Sequence, residues 1–310
     1  MRFVGLQTQV WKNNIKSIGL LVLFPVVIFV LVWLFFFFIQ EPQASRFDNT
    51  NLHFIRLIPW ISLAVICWFM VAYFFHTGMI RKATGAVPLE RTENKRVYNL
   101  VENLCISCGM KMPKINLIED DSLNAYASGI NNASFTLSLS RGIISKLNDE
   151  ELESVIAHEL THIRNRDVRL LIISIIFVGI FAFLTEALFR TIRFSGGGKG
   201  KKDGGYMLIA LLLAVVGYLL SSIFRFALSK KREYLADAGA AKLTKNPLAL
   251  ASALEKISQD SRIEAVNRKD VAQLFIDNPQ AKDKTALSAI SAIFSTHPPI
   301  EKRIQLLRQF

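Results

Sequence analysis

The stretch Asn148–Asp167 (NDEELESVIAHELTHIRNRD) decides the fold, because it contains both a helix start signal and a pair of histidines at helical spacing. Asn148 is a favourable N-cap residue, and Glu151 three positions later completes a capping-box pattern. His158 and His162 stand four residues apart, which places their side chains on one face of a helix. The pattern therefore predicts a helix that presents two imidazoles side by side.

Residues His158–His162 have the form H-E-x-x-H, a spacing that suits a catalytic metal site. Both imidazoles can reach one metal ion, while Glu159 can take the proton of a water molecule that the ion activates. A catalytic zinc ion takes three protein ligands and keeps one position open. The motif predicts a zinc hydrolase whose third ligand lies elsewhere in the chain.

Candidates for the third ligand follow the last apolar run of the chain. Glu233 and Asp237 stand four residues apart and share one face of a predicted helix. Such a pair suits one carboxylate ligand and one carboxylate that accepts a hydrogen bond from a ligand histidine. The spacing is also typical of a solvated helix face, but beside the H-E-x-x-H motif we interpret it as part of the metal site. Asp167 is a further candidate for the carboxylate that orients a histidine.

His297 is the remaining histidine with a candidate role. It is followed by two prolines, Pro298 and Pro299, which restrict the backbone. Two interpretations stay open: a fixed polar group for the tetrahedral intermediate of hydrolysis, or a histidine in a surface turn.

The composition is that of a membrane protein. Of the 310 residues, 51% are hydrophobic and 23 are Phe, and the mean hydropathy is +0.32. A helix needs about 20 apolar residues to cross the bilayer core. Three uncharged runs meet this length: Ser17–Ile39, Leu57–Phe75 and Tyr206–Phe224. A fourth run, Leu170–Thr185, has 16 residues and is marginal. The first run is too long for the apolar part of a signal peptide, so we expect an uncleaved anchor.

The net charge of +12 comes largely from cations at the ends of the apolar runs. This distribution fits anionic lipid headgroups better than a nucleic-acid groove, and no nucleic-acid motif is present. The cations before the first run predict a cytoplasmic N-terminus and a cytoplasmic metal motif. If the third and fourth runs both cross, the basic loop between them lies outside. This would break the rule that loops rich in Lys and Arg stay in the cytoplasm. Either those two helices form a hairpin that crosses only in part, or the first two spans dominate the orientation.

The rest of the chain mixes helices and short strands. A helix is predicted over Glu93–Cys108, where Cys105 and Cys108 form a C-x-x-C pair. We interpret these cysteines as packing residues, because no second Cys or His pair stands at zinc spacing. Strands are predicted by the alternation of apolar and polar residues at Lys114–Glu119 and Phe135–Ser140, and Asn124–Ser128 is a candidate for a short third strand. Loops are predicted at Ser195–Gly205, where glycine and lysine favour flexibility, and at Asp260–Lys284.

The expected fold class is α+β: a mainly helical integral membrane protein with about four apolar helices and a zincin-type catalytic domain carrying a small β-sheet. Four parts are predicted along the chain: a membrane anchor with two transmembrane helices (1–80), a catalytic domain with the H-E-x-x-H helix (81–169), a membrane helix pair with a Gly/Lys loop (170–228), and a C-terminal helical part that carries the third zinc ligand (229–310).

Four motifs in this order resemble the HtpX family of membrane zinc metalloproteases, and more distantly the CAAX prenyl endopeptidases. They are NAYASG at Asn124–Gly129, HELTHIRNRD at His158–Asp167, REYLAD at Arg232–Asp237 and HPPIEKR at His297–Arg303. Together with the two N-terminal spans, the resemblance covers nearly the whole chain. Tyr126 stands where the family frequently has Phe.

The resemblance implies one Zn2+ ion per subunit, bound by His158, His162 and Glu233, with Glu159 as general base and acid. His297 and Arg303 match positions that help to hold substrate or to stabilise the oxyanion. The strand of Asn124, Ala125, Tyr126, Ala127, Ser128 and Gly129 matches a sheet edge to which an extended substrate adds as a further strand.

The implied activity is endopeptidase cleavage of damaged or misassembled membrane proteins in the bacterial inner membrane, with the bilayer and peptide segments as partners. Nucleic acid is not expected, and the sequence does not indicate an oligomeric state. Two alternatives differ in their requirements. A prenyl-protein endopeptidase would need more spans to enclose a chamber, and a catalytically silent membrane scaffold would not need the complete set of ligands and base.

Overall fold

The computed structural model describes residues 6–40, 44–194, 201–226, 230–260, 275 and 298–310. Within these residues the chain forms ten α-helices and four β-strands. The helices are α1 (Leu6–Ile39), α2 (Arg46–Thr84), α3 (Lys95–Cys108), α4 (Arg141–Lys146), α5 (Asp149–Arg164), α6 (Asp167–Phe194), α7 (Lys201–Phe226), α8 (Lys230–Thr244), α9 (Pro247–Gln259) and α10 (Ile300–Leu307). The strands are β1 (Ala86–Pro88), β2 (Lys114–Ile118), β3 (Ala125–Ser128) and β4 (Thr136–Ser140). The predicted mainly helical fold with a small sheet is confirmed.

Two compact units make up the chain. The sheet unit comprises Met1–Asn14, Phe75–Ile172 and Phe226–Phe310, and the apolar unit comprises Ile15–Phe74 and Ile173–Arg225. Helices α1, α2 and α6 each contribute residues to both units. The four-part division along the chain stays a prediction.

The sheet has the strand order β1-β2-β4-β3, with β2 and β4 parallel and the outer pairs antiparallel. The three predicted strands are present. The sequence pattern missed β1, which has only three residues and ends in proline, so it lacks an alternation signal. Strand β3 lies at one edge of the sheet as far as the described residues extend, although all four of its residues are buried.

Helix α5 starts as predicted. The Asn148 side chain accepts a hydrogen bond from the Glu151 backbone N–H at 2.9 Å, and the Glu151 carboxylate accepts one from the Asn148 N–H at 3.0 Å. The Glu151 carboxylate also accepts hydrogen bonds from Ser252 and Lys256 of α9, each at 2.7 Å. One side chain therefore both caps the helix and ties it to α9.

The apolar unit has an aromatic core. Phe24 of α1 stacks on Phe177 of α6 with ring centroids 3.9 Å apart, and it meets Phe181 edge-on at 5.4 Å. A Cβ atom at Gly217 of α7 would lie only 2.3 Å from the Phe181 ring. Glycine at this position lets the backbone of α7 approach α6 closely, as is common between membrane helices.

Among the described residues, three helices are long and apolar enough to cross a membrane: Val10–Ile39, Arg46–Thr84 and Asp167–Thr191. The run at Leu170, predicted to be marginal, therefore belongs to a 25-residue candidate span. Glu186, which ended the uncharged run in the sequence, pairs with Arg190 one turn later, so the helix continues past it. The run Tyr206–Phe224 was predicted to be long enough to cross, but within the described residues it contributes only the shorter apolar helix Gly205–Ser221.

The predicted loops are only partly visible. Residues 195–200 of the Gly/Lys segment lie outside the described residues, whereas Lys201 to Gly205 are helical and belong to α7, so the predicted loop was too long at this end. Of the predicted loop at 260–284, only Asp260 and Phe275 are described. Cys105 and Cys108 lie on helix α3, where a helix was predicted; Cys105 is buried, and this burial raises its pKa to about 12.

We expect Glu151→Ala to lower the free energy of unfolding by about 2 kcal/mol, because the cap and the contacts to α9 are lost together. Thermal or urea unfolding of the detergent-solubilised protein at pH 7 measures this. Glu153→Ala, two residues further along α5, is the matched control. An equal loss in the two variants would contradict the special role of Glu151.

The two glutamates also predict opposite pH dependences. Burial raises the pKa of Glu151, but hydrogen bonds from Lys256, Ser252 and the Asn148 backbone outweigh it and leave the pKa below its ordinary value of 4.5. The contribution of ionised Glu151 is therefore present above pH 4.5 and is lost as the pH falls through the lowered pKa. Burial raises the pKa of Glu153, so its contribution has the opposite sign and is lost as the pH rises.

Candidate metal centre

The three predicted ligands meet between α5 and α8. The Nε2 atoms of His158 and His162 lie 3.2 Å apart. Glu233 of α8 places its carboxylate oxygens 3.7 Å from the His158 Nε2 and 3.4 Å from the His162 Nε2. Tetrahedral zinc with ligand bonds near 2.1 Å separates its ligand atoms by about 3.4 Å. The spacing of these three donors therefore fits one zinc-sized ion.

Each histidine has a carboxylate behind it. Nδ1 of His158 lies 3.0 Å from Asp237, and Nδ1 of His162 lies 3.1 Å from Asp167. A carboxylate beside Nδ1 favours the tautomer that carries the proton there, and the lone pair of Nε2 then faces the ligand position. The structure thus brings the two predicted orienting carboxylates to the two predicted ligands, one to each.

Arg303 of α10 lies behind the first of these carboxylates. Its side chain is 1% exposed, and its guanidinium donates to both oxygens of Asp237, at 2.9 and 2.7 Å. It also lies 3.5 Å from the His158 Nε2 and 3.7 Å from Glu233. This paired geometry fixes the Asp237 carboxylate in the plane of the guanidinium.

Among the described residues, buried acidic side chains outnumber buried basic ones around this site. Four carboxylates lie here with two guanidinium groups. The carboxylates are those of Glu159, Asp167, Glu233 and Asp237, and the guanidiniums are those of Arg232 and Arg303. Buried charges need compensation, and a divalent cation between the three donors would supply it.

The surroundings of His158 also favour a positive charge. Burial lowers its pKa, but the Asp237 and Glu233 carboxylates outweigh this effect and raise the pKa to about 9. The position therefore favours positive charge, and a bound metal ion provides such a charge without a proton. The donor set, its spacing and its charge all fit a zinc ion.

Glu159 lies next to the ligands but is turned towards the sheet. Its carboxylate is buried and accepts a hydrogen bond from the Ala127 backbone N–H of strand β3. Burial raises the pKa of Glu159 above its ordinary value of 4.5, while the nearby His158 and His162 lower it. A raised pKa is the property that a carboxylate needs to act as a base near neutral pH.

The segment Asn124–Gly129 follows the sheet edge. The Asn124 side chain accepts from the Ala125 N–H at 3.0 Å, and Ser128 is hydrogen-bonded to Thr136 at 2.6 Å. Gly129 ends the strand with φ +121°, and a Cβ there would lie 2.6 Å from a backbone oxygen. The residues from Ala125 to Ser128 are buried as a whole, main chain and side chains together.

The contacts of Tyr126 account for a tyrosine at a position where the family frequently has phenylalanine. Its ring is buried and meets Phe275 edge-on at 5.1 Å. Its hydroxyl is hydrogen-bonded to the Thr84 hydroxyl at 2.7 Å, and Thr84 in turn donates to the Ile80 carbonyl. The tyrosine oxygen therefore has a partner at the end of α2 that phenylalanine would leave unused.

Two contributors were missed by sequence reasoning, and one prediction lies outside the described residues. The buried Asn13 amide donates to Asp167 at 2.7 Å, and the Arg232 guanidinium donates to the Asp167 carbonyl at 3.2 Å. Arg232 was part of the quoted REYLAD motif, and Asn13 is a polar residue just before an apolar run. Both features are visible in the sequence and indicate a residue with a role in the site. His297 lies outside the described residues.

Comparison with known proteins supports the same chemistry. Residues 91–310 match the model of Peptidase family M48. The chain is 58% identical over the full length of both proteins to a protease HtpX homolog of Bacteroides fragilis strain YCH46. It is 37% identical to a protease HtpX homolog of Dictyoglomus turgidum, covering 91% of this chain and 90% of that one. The crystal structure of S. mikatae Ste24p aligns with a TM-score of 0.48 and 19% identity, over 96% of this chain and 66% of that chain.

The family match covers most of the chain, including the H-E-x-x-H helix and the segments that carry Glu233 and Arg303. The full-length relatives extend the match to the apolar helices. The resemblance that the motifs indicated is thereby confirmed, and the chain belongs to peptidase family M48 as a membrane metalloprotease similar to the HtpX proteases.

Proposed function

We propose that the metal of this protease is zinc, one ion per subunit, and that His158, His162 and Glu233 bind it. The observation that carries this proposal is the convergence of three donors 3.2 to 3.7 Å apart, in surroundings where the described buried side chains include four carboxylates and two guanidinium groups. When bound, the ion supplies Lewis-acid polarisation of the scissile carbonyl and makes a water molecule more acidic.

Glu159 is the proposed general base and acid. Its buried carboxylate has a raised pKa and is held in position beside the two histidines by the Ala127 N–H of strand β3. In the proposed reaction it takes the proton of the attacking water and then gives a proton to the leaving amine. The two transfers use one carboxylate that stands between the ligand helix and the sheet edge.

Asp237 and Asp167 are proposed to hold the two histidines in the tautomer that binds metal. The buried, bidentate contact of Arg303 with Asp237 supports a positioning role for this arginine. A contact of Arg303 or His297 with the oxyanion is implied by the family resemblance and stays a prediction.

The substrate is proposed to bind as an extended segment along β3. The strand lies at the sheet edge, and the Ala127 N–H links it directly to Glu159. Main-chain pairing with an edge strand reads little side-chain sequence, which suits a protease that removes misfolded or damaged membrane proteins. The full-length HtpX homologues favour this reading over prenyl-protein cleavage.

The site is proposed to face the cytoplasm of a bacterial inner membrane. Support comes from the cations before the first span and from the exposed apolar side chains of α1 and α2, such as Trp60 at 68% and Phe74 at 66%. Such surfaces are suited to lipid rather than to water.

Zinc content and self-cleavage test the function. Purified protein is expected to contain about one zinc per chain. After solubilisation it should cleave itself or casein, because the site then meets unfolded protein segments that the membrane no longer keeps away. A chelator should stop the cleavage, and added zinc should restore it. Cleavage that persists in the metal-free protein would overturn the proposed metal chemistry.

The variants Glu159→Gln and Glu233→Ala distinguish the effect of losing the proposed general base from that of losing a proposed zinc ligand. Glu159→Gln is expected to keep zinc while cleavage falls by about 10³-fold, in the range of a lost general base. Glu233→Ala is expected to lose both zinc and cleavage, since one of three ligands is gone. Glu301→Ala, at an exposed position on α10, is the control that should change neither. Full activity in Glu159→Gln would refute the role of this carboxylate.

Cysteine labelling tests the orientation. In a Cys67→Ser, Cys108→Ser background, Asn132→Cys places a thiol on the exposed β3–β4 connection, and Asp48→Cys places one on the exposed first turn of α2, which a cytoplasmic N-terminus would put outside the membrane. A membrane-impermeant maleimide added to intact spheroplasts should label position 48 but reach position 132 only after the membrane is opened. The reverse pattern would place the site outside.

A further inference from the structure

Asn13 occupies an unusual place for a residue at the start of an apolar helix. Its side chain is completely buried within the sheet unit. Its amide nitrogen donates two hydrogen bonds, one to the Asn165 carbonyl at 2.8 Å and one to the Asp167 carboxylate at 2.7 Å. Both partners lie about 150 residues further along the chain, so the contact ties the N-terminal helix to the end of α5.

The Asp167 carboxylate is shared between Asn13 and the metal site. One of its oxygens, Oδ1, accepts from Asn13, while the other, Oδ2, lies 3.1 Å from Nδ1 of His162. Rotation of this carboxylate is therefore restricted from both sides. A hydrogen-bonded path runs from α1 through one carboxylate to a predicted metal ligand.

The same amide also holds the junction between α5 and α6. Helix α5 ends at Arg164 and α6 begins at Asp167, so only Asn165 and Arg166 connect them. Arg166 has φ +62°, a left-handed conformation that residues other than glycine rarely adopt. Asn13 donates to the residue on each side of Arg166, and it thereby fixes the position of Asp167 relative to the helix that carries His162.

We propose that Asn13 is a positioning residue for the metal centre, which orients His162 through Asp167. The inference rests on the proposed function, because it takes His162 as a metal ligand. An asparagine suits this role since one uncharged amide nitrogen offers two donors. It leaves the Asp167 charge intact, so the carboxylate keeps its effect on the imidazole. The first membrane helix then takes part in metal binding besides anchoring the chain.

Asn13→Leu tests the proposal with metal affinity as the readout. Replacing residues that orient a metal ligand costs 10- to 100-fold in affinity, and we expect about tenfold weaker zinc binding here. Zinc affinity is measured by competition with a fluorescent chelator, using the full-length protein in detergent. The visible absorption spectrum of the cobalt-substituted protein should shift as well, because His162 loses its fixed orientation.

Asn14→Leu is the matched control. It makes the same chemical change at the next residue, which takes no part in the contacts with Asn165 or Asp167, and it should leave both zinc affinity and the cobalt spectrum unchanged. If Asn13→Leu does not give folded protein, Asn13→Ser provides a smaller change, with a hydroxyl too short to make both hydrogen bonds. Circular dichroism and thermal unfolding of the metal-free proteins report whether either variant is folded.

A double-mutant cycle separates positioning from packing. In an Asp167→Ala background, the effect of Asn13→Leu on zinc affinity should disappear, because the path to His162 is already broken. A packing role for Asn13 would instead give the same loss in both backgrounds, and that result would overturn the proposal. Unchanged zinc affinity in Asn13→Leu would overturn it as well. If the wild-type protein binds no zinc and His162→Ala changes nothing, the proposed function itself fails, which is a distinguishable result.

Discussion

The packing of buried carboxylates, imidazoles and guanidinium groups around one point is the constraint on which the sheet unit depends. Helix α5 supplies Glu159 and the two histidines, α8 supplies Glu233, Asp237 and Arg232, α6 supplies Asp167, and α10 supplies Arg303. The nitrogens of two imidazoles and the oxygens of one carboxylate lie 3.2 to 3.7 Å apart at this point. Because folding brings these groups together, the proposed metal ion would contribute directly to the stability of the folded unit.

The arginines make this arrangement specific. If either were absent, the buried carboxylates would lose one of the positive charges beside them, which is unfavourable. The positive charge of Arg303 is paired with Asp237 through the bidentate contact. Asp237 in turn lies 3.0 Å from Nδ1 of His158. The guanidinium therefore stabilises the site without occupying the ligand position itself. The rigid cap of α5 through Glu151 supports the same helix from its other end.

The chemistry that depends on local spacing could be predicted from the sequence. The H-E-x-x-H pair, the capping box of α5 and the strands β2, β3 and β4 each arise from residues within a few positions of one another. The ion pair of Glu186 with Arg190 is also local, yet treating each charge as a break made the Leu170 run look shorter than its helix. A charge with a partner one turn away does not end a helix, so counting uncharged residues underestimates such spans.

The contacts that escaped prediction are those between distant parts of the chain. The hydroxyl of Tyr126 finds Thr84, and the amide of Asn13 finds Asp167, across 42 and 154 residues respectively. No periodicity in the sequence encodes either pairing. In both cases a polar atom is buried and has a hydrogen-bond partner, which is the general rule for folded interiors. A buried polar residue in an otherwise apolar context is thus a signal that a partner exists, although it does not say which.

The hydrogen bond between Asn13 and Asp167 explains why two polar residues can be buried near the starts of apolar helices. Each lies near the start of a helix that continues as a candidate membrane span, α1 to Ile39 and α6 to Phe194. A polar group at such a position is costly unless it is hydrogen-bonded, since apolar surroundings offer no water to replace the partner. The mutual hydrogen bond satisfies both groups at once. It also forces the beginnings of the two helices into one fixed arrangement. Because the Asp167 carboxylate also lies beside Nδ1 of His162, the arrangement that satisfies the two helix starts also orients this proposed metal ligand.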